Sequence, residues 1–352
     1  MTSSISTSQH SSPQGIITAF SLQSRCGTRA VLLTYGATLQ EFHLPLCAGY
    51  DSDIVCGYLD SLDYLRAHPY HGAVIGPFAN RISQGDLCIG RDRYQLTLNE
   101  ENHHLHGGTQ GLHRALWDAE SAMVDGTPTV RMTTELSDGI DGYPGDLLVE
   151  VCYQLTDDGA LDISYTARSS RDTVINLTHH AYWNLAGHDA GTLRGHKLQI
   201  KADSITERSV DHIPTGSFMP VEGSVYDYRE STAIMDRLSP IPEVLRHDHG
   251  YDCNYVLDSH LRSDYVAELV HSASGRRMKV HTDEPGLQLY TANHLPGDDG
   301  QVTKHGSAYR AHGAICLETQ HFPDSPHFPN FPSTLLQAGN EFTSWTRYGF
   351  TW

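Results

Sequence analysis

The sequence predicts an all-β fold, a large antiparallel β-sandwich with few short helices. Three observations predict it. Apolar and polar residues alternate at period two in segment after segment, the pattern of strands with one face in a core. Turn residues recur between those segments, with 31 glycines and 16 prolines in 352 residues. Helical periodicity is sparse.

Taken in chain order, residues 1–14 (MTSSISTSQHSSPQ) are rich in Ser, Thr and Gln and are expected to form a flexible leader. No basic segment followed by an apolar one occurs there, so it does not read as a secretory signal. RAVLLTYGATLQEFHLP, Arg29 to Pro45, reads as two short strands broken at Gly36. SLDYLRAH, Ser61 to His68, fits ~two helical turns with Ser61 as N-cap. Tyr94–Leu98 and Thr129–Leu136 are strand candidates. DLLVEVCYQLT and LDISYTARS read as a hairpin turning through Asp158-Gly159. Lys197–Ala202 follows, and YVAELVHSASGRRMKVHTD forms a second hairpin turning near Ser274-Gly275. Leu287–Thr291 and Ala314–Glu318 complete the set. No fixed-period repeat, low-complexity linker or charge block divides the chain. Residues 15–352 are therefore expected to form a single domain, with its site in the loops.

Lys and Arg total 24 against 42 Asp and Glu, a formal net charge of −18. Such a chain repels phosphate backbones and anionic lipid, so nucleic acid and membrane surfaces are not expected partners. No apolar run is long enough to cross a bilayer. The seven cysteines stand singly, without a Cys-x-x-Cys pair, which suits reduced thiols in a cytoplasm. Nothing in the sequence specifies an oligomeric state. The expected partner is a small, neutral molecule.

Five segments concentrate chemistry: GPFANRI (Gly76 to Ile82), NHHLHGG (Asn102 to Gly108), NLTHHAYWNL (Asn176 to Leu185), HGYDCNYVL (His249 to Leu257) and ICLETQHFPDSPHFPNFPS (Ile315 to Ser333). In an extended NHHLHGG, His104 and His106 share one face and His103 points away. Together the segments supply two carboxylates (Asp252, Glu318), several histidines, Arg81 and aromatic side chains. Carboxylates and an arginine suit sugar hydroxyls, and aromatic faces suit the C–H face of a pyranose. A histidine with a carboxylate suits acid–base work near neutral pH. With 23 histidines in the chain, clustering alone does not imply a metal.

In order along the chain, ANRI, LHGG, GYPG, NLTHHAYWNL, GYDCNYVL, PGLQLYTAN and ETQHFPDSPH resemble the motifs of the aldose 1-epimerase (galactose mutarotase) family, and the resemblance runs from about Gly15 to the C-terminus. It implies a mutarotase-like β-sandwich and interconversion of the α and β anomers of free monosaccharides, without cofactor or metal. It further implies that Glu318 is the general base, that His180 is the general acid and that His106 holds the sugar near its ring and anomeric oxygens. Arg81, Asn80, Asp252 and Gln288 would bind hydroxyls. Three positions depart from the family pattern: His179 stands where Asn is usual, Cys253 where His is frequent, and Pro77 follows Gly76 where Arg is usual.

Beside these roles, His179 is expected to be structural, His103 and His104 to lie in a loop or at the rim, Tyr182 and Trp183 to pack, and Asp324 to cap its turn. His247-x-His249 looks metal-like only locally. Three rival functions use the same residues. A glycoside hydrolase would pair Asp252 with Glu318; a metal enzyme would be built on His104, His106, His249 and Glu318; a binding module would hold sugar without catalysis.

Overall fold

The structure is a computed structural model, and it describes residues 2–46, 49–50, 52–66, 70–257, 264–295, 304, 306 and 308–352. Strands dominate it, and every pair of named strands is antiparallel. The largest sheet runs Asp118–Val124, Thr127–Leu136, Leu147–Leu155, Leu161–Ser169, Glu341–Thr351, Arg277–Thr282, Ala267–His271, His196–Ile200, Thr232–Ala233. A second sheet runs Pro214–Pro220, Ser204–Arg208, Asp252–Val256, Gly286–Tyr290, Cys316–Gln320. A third is the four-stranded meander Ser4–Ser12, Gly15–Gln23, Arg29–Leu33, Thr38–His43.

Alternation explains why these segments are strands. In Leu147–Leu155 the residues Leu147, Val149, Val151, Tyr153 and Leu155 are buried, while those between them are half-buried or exposed. Leu161–Ser169 repeats the pattern and pairs with it in register. One core takes side chains from all three large sheets, including Phe20 and Leu32, Val151 and Ile163, and Tyr255, Leu289 and Leu317. Trp183 sits inside that core, with its ring 5.2 Å from Tyr348 and 5.7 Å edge-on to Phe42. Burial of this apolar surface is the main force holding the layers together.

Several expectations are corrected. The flexible leader expected over residues 1–14 is largely a strand: Ser4–Ser12 pairs residue for residue with Gly15–Gln23. Its polar composition remains compatible with a strand because it lies at a sheet edge with both faces largely in water, and only Ile5 packs against the core. The helix expected from Ser61 is a 3₁₀ turn over Ser61–Leu65; its cap is Asp60, whose carboxylate accepts from Leu62 N–H, and residues 67 and 68 lie outside the described residues. The strand expected at Tyr94–Leu98 is Asp92–Gln95, paired with Asp86–Ile89. The break at Gly36 and both predicted hairpins are present. Among the described residues, no helix is long and apolar enough to cross a membrane.

Candidate active site

One face of the second sheet forms the floor of a cleft of about 220 Å³. The registry places Gln288 directly opposite Glu318 on one side and opposite Asn254 on the other. Asp252, two residues from Asn254, shares that face. The Asp252 Oδ1 accepts from Gln288 Nε2 at 2.6 Å. Glu318 is only 2 % exposed, and its Oε2 has no hydrogen-bond partner among the described residues; Gln288 Oε1 is likewise unpartnered. A buried carboxylate oxygen left without a donor is costly, so both atoms are groups a bound molecule would complete.

The NLTHHAYWNL stretch forms the wall above this floor. Thr178–His179 pairs with Val74–Ile75, His180 N–H donates to Ala73 O at 2.9 Å, and Gly72 N–H donates to His180 O at 3.0 Å. Alternation then sends adjacent histidines to opposite sides. The His179 ring is buried 5.9 Å from the Tyr153 ring, as expected of a structural residue. His180 faces the cleft with its ring between Tyr182 (5.0 Å) and Tyr70 (5.7 Å), which fixes the imidazole plane. Its Nε2 lies 3.8 Å from Glu318 Oε2. The asparagines are cross-links. Asn176 Nδ2 donates to Ala79 O and His321 O, and its Oδ1 accepts from His321 N–H; Asn184 Nδ2 donates to Gly313 O.

Arg81 opens one of two short strands that pair with each other, Arg81–Ile82 with His104–Leu105, and His106 directly follows the other. His106 has φ 53°, so the chain leaves the strand there and the ring turns into the cleft. The glycines that follow are required by close approach: a Cβ on Gly107 would stand 2.0 Å from Gly76 O, and one on Gly108 2.4 Å from Asp141 Cγ. His106 Nδ1 accepts from Asn80 N–H at 3.1 Å, so the neutral ring carries its proton on Nε2. Arg81 is held in bidentate fashion by Glu100, Nε to Oε2 at 2.6 Å and Nη2 to Oε1 at 2.7 Å. Its remaining nitrogen, Nη1, lies 3.8 Å from Asp252 Oδ2.

Burial dominates the electrostatics of Glu318 and His180. It pushes the Glu318 carboxyl well above its ordinary value; the Asp252 charge acts the same way, and Arg81 opposes both without prevailing. It lowers His180 to about 4. His106 is pushed well down, first by burial and then by the neighbouring His180 and Arg81. Burial would also raise Asp252, but Arg81, His212 and Arg208 together hold that carboxyl below its ordinary value. With no sugar bound, the proton of the pair therefore rests on Glu318 while Asp252 stays charged.

All seven sequence-derived site residues, Glu318, His180, His106, Arg81, Asn80, Asp252 and Gln288, line the one cleft. So do Tyr70, Glu100, His212 and His294, which lie outside the motifs, and Leu105, Tyr182 and Tyr290, which lie within them but were not assigned to the site. Tyr182, expected only to pack, both packs and walls the cleft. His104 is neither loop nor rim: it is buried, with Nε2 at 2.6 Å from the Tyr143 hydroxyl and Nδ1 at 2.7 Å from Thr97 O. It does not share a face with His106, because the positive φ at His106 ends the alternation. Asp324 stands at the N-cap of the 3₁₀ turn Ser325–His327 but makes no side-chain cap hydrogen bond; its Oδ1 instead accepts from Ser83 N–H at 2.8 Å and lies 2.6 Å from His327 Nδ1, tying the turn to a distant segment. The metal set built on His104, His106, His249 and Glu318 is not assembled. His106, His180 and Glu318 do place potential ligand atoms within 4.8 Å of one another. However, the Asn80 N–H occupies the lone pair of His106 and leaves a proton on the nitrogen that faces the cleft, which opposes ligation.

Residues 18–349 match a sequence family described as Aldose 1-epimerase. A galactose mutarotase from Mus musculus is 38 % identical over 340 residues, spanning 96 % of each chain. An aldose 1-epimerase from Escherichia coli (strain K12) is 31 % identical over 332 residues, 94 % of each. Among solved structures, an aldose epimerase homologue from C. elegans superposes with a TM-score of 0.85 at 26 % identity, covering 98 % of this chain and 99 % of that one.

Proposed function

The chain belongs to the aldose 1-epimerase family and is an isomerase that interconverts the α and β anomers of free aldoses, and on that premise we propose that Glu318 and His180 are its proton-transfer pair. One observation carries the assignment: a buried carboxylate oxygen without a donor, 3.8 Å from an imidazole nitrogen, in a cleft otherwise lined by hydroxyl-binding groups.

A cyclic aldose is a hemiacetal. Glu318 takes the proton of the C1 hydroxyl while His180 gives one to the ring oxygen, and the C1–O5 bond breaks as the C1 carbonyl forms. Rotation about C1–C2 presents the other carbonyl face. On closure Glu318 returns its proton to the new C1 oxygen and His180 recovers one from the C5 hydroxyl. Protons balance within the pair in each direction. The working state, carboxylate plus imidazolium, holds the same single proton as the carboxylic acid plus neutral imidazole favoured by burial. A C1 hydroxyl donating to Glu318 and a ring oxygen accepting from His180 stabilise the charged arrangement.

His106 donates from Nε2–H to a sugar oxygen near this centre. Arg81 offers Nη1, its other edge being locked by Glu100. Asn80, Asp252 and Gln288 bind hydroxyls. Asp252 is bound by Gln288 and faced by His212 and Arg81, which supports binding rather than the second catalytic role a glycoside hydrolase would need. The protonated face of His106 supports proton chemistry without a metal. The name of the mouse relative supports galactose as the first aldose to test. The six described cysteines, all free, support the reducing, cytoplasmic setting expected from their spacing.

The test is polarimetry on freshly dissolved α-galactose, with spontaneous exchange subtracted. Glu318→Gln and His180→Gln are each expected to lower kcat by ~10²–10⁴ while sugar binding persists, and the double variant to cost far less than the product of the two. Near-normal kcat in Glu318→Gln overturns the assignment. Activity is expected to survive EDTA; loss restored by zinc or manganese would overturn the metal-free reading.

A further inference from the structure

His212, which lines the cleft, and His247 and Asp248, which lie outside it, offer three ligand atoms within 4.8 Å of one another. We propose that they form a divalent transition-metal site, suited to Zn²⁺, and that metal bound there weakens sugar binding through Asp252.

Geometry and chemistry both point to it. His212 Nε2 and Asp248 Oδ1 are already 3.3 Å apart, matching the edge of about 3.3 Å expected of a tetrahedron with bonds of 2.0–2.1 Å. The exposed His247 has its ring 6.3 Å from that of His212 and a ring nitrogen within 4.8 Å of the other two ligand atoms. Two imidazoles and one carboxylate favour zinc or copper over calcium or magnesium, which prefer all-oxygen sets.

A second, independent observation lies in Asp248. It is 3 % exposed, and its Oδ1 has no hydrogen-bond partner among the described residues while its Oδ2 is engaged by Arg208. A buried carboxylate with one oxygen secured and the other open toward two histidines is the arrangement of a ligating carboxylate held by an outer partner.

The link to the cleft runs through the other nitrogen of His212. Its Nδ1 stands 3.4 Å from Asp252 Oδ2, the oxygen that also faces Arg81. Carboxylate–histidine–metal chains of this kind orient a ligating imidazole. The contact is an ion-pair separation without a hydrogen bond. A metal on Nε2 requires the ring proton to stay on Nδ1, and its positive charge beside Asp252 weakens that carboxylate as an acceptor for a sugar hydroxyl. The metal therefore raises KM.

Calorimetric titration of ZnCl₂ into the full-length, metal-stripped protein tests the site, with Co²⁺ absorption reporting coordination. Wild type is expected to bind one Zn²⁺ per chain and to show a tetrahedral Co²⁺ band, with KM for galactose rising several-fold. His247→Ala, which alters an exposed residue outside the cleft, is expected to keep basal activity, to bind Zn²⁺ at least about tenfold more weakly and to lose the KM effect. Glu318→Gln is expected to bind Zn²⁺ as wild type does. Equal binding by wild type and His247→Ala, loss of binding in Glu318→Gln, absence of binding by wild type, or a KM unmoved by saturating Zn²⁺ each overturns the proposal.

Discussion

Glu318 and His180 are displaced from their ordinary protonation in opposite directions by the same cause, removal from water. Their titration belongs to the pair rather than to either residue. As pH falls through about 4, His180 gains a proton while Glu318 already holds one, and no base remains. As pH rises through the elevated value of Glu318, the last proton leaves and no acid remains. Between those limits the pair holds one proton and can work. The profile of kcat/KM is expected to be bell-shaped, with its acid limb near 4 and its alkaline limb well above the ordinary carboxyl value of 4.5. An acid limb near 6.5, the ordinary histidine value, would show that burial does not control His180. These two residues could be singled out from the sequence because they sit in motifs. The direction of the Glu318 shift was not, since it depends on whether burial and Asp252 outweigh Arg81, and those side chains come from different strands.

At the scale of elements, the cleft depends on segments far apart in sequence being held in register. Asn176 does this for three of them. Its side chain bonds Ala79 beside Arg81 and His321 beyond Glu318, while it lies four residues before His180. Asn176→Ala leaves two carbonyls and one N–H without their partner in a buried place. The expected loss is about 3 kcal/mol, at ~1–3 kcal/mol per stranded buried group, read as a lower denaturation midpoint. A drop in kcat at 25 °C, where the variant remains folded, is expected beside it. A stable variant with full kcat would show that the segments hold their places without this cross-link. The alternating pattern revealed the strands, but not the positive φ at His106 that parts it from His104, nor the pairing that brings Glu100 to Arg81 from 19 residues away.

For the whole molecule, the core and the edge make different demands. Trp183 and the facing strands draw the three sheets together, whereas Ser4–Ser12 is exposed along most of its length and none of its residues lines the cleft. Deletion of residues 2–12 is therefore expected to lower Tm by less than about 5 °C, a loss of ~1–2 kcal/mol being spread over a large unfolding entropy, with kcat intact. A collapse of folding would mean that pairing along Gly15–Gln23 is needed to close the meander. The net charge of −18 acts at this scale too, turning the surface against polyanions while the cleft keeps Arg81 paired with Glu100.

The sequence by itself determined the all-β class, the principal hairpins and the seven residues that meet in the cleft. Period-two alternation and turn chemistry are local, and motifs carry residue identity wherever the chain places them. Only the tertiary structure decided that Ser4–Ser12 is a strand, because an exposed edge strand needs a partner rather than an apolar pattern. It likewise decided that Tyr70 and Tyr182 enclose His180, that Glu100 locks Arg81, and that His212 joins Asp252 to Asp248. Each of these is a contact between segments whose spacing in sequence carries no signal, and the positive φ at Asn80, His106 and His212, which composition does not announce, helps shape the cleft they line.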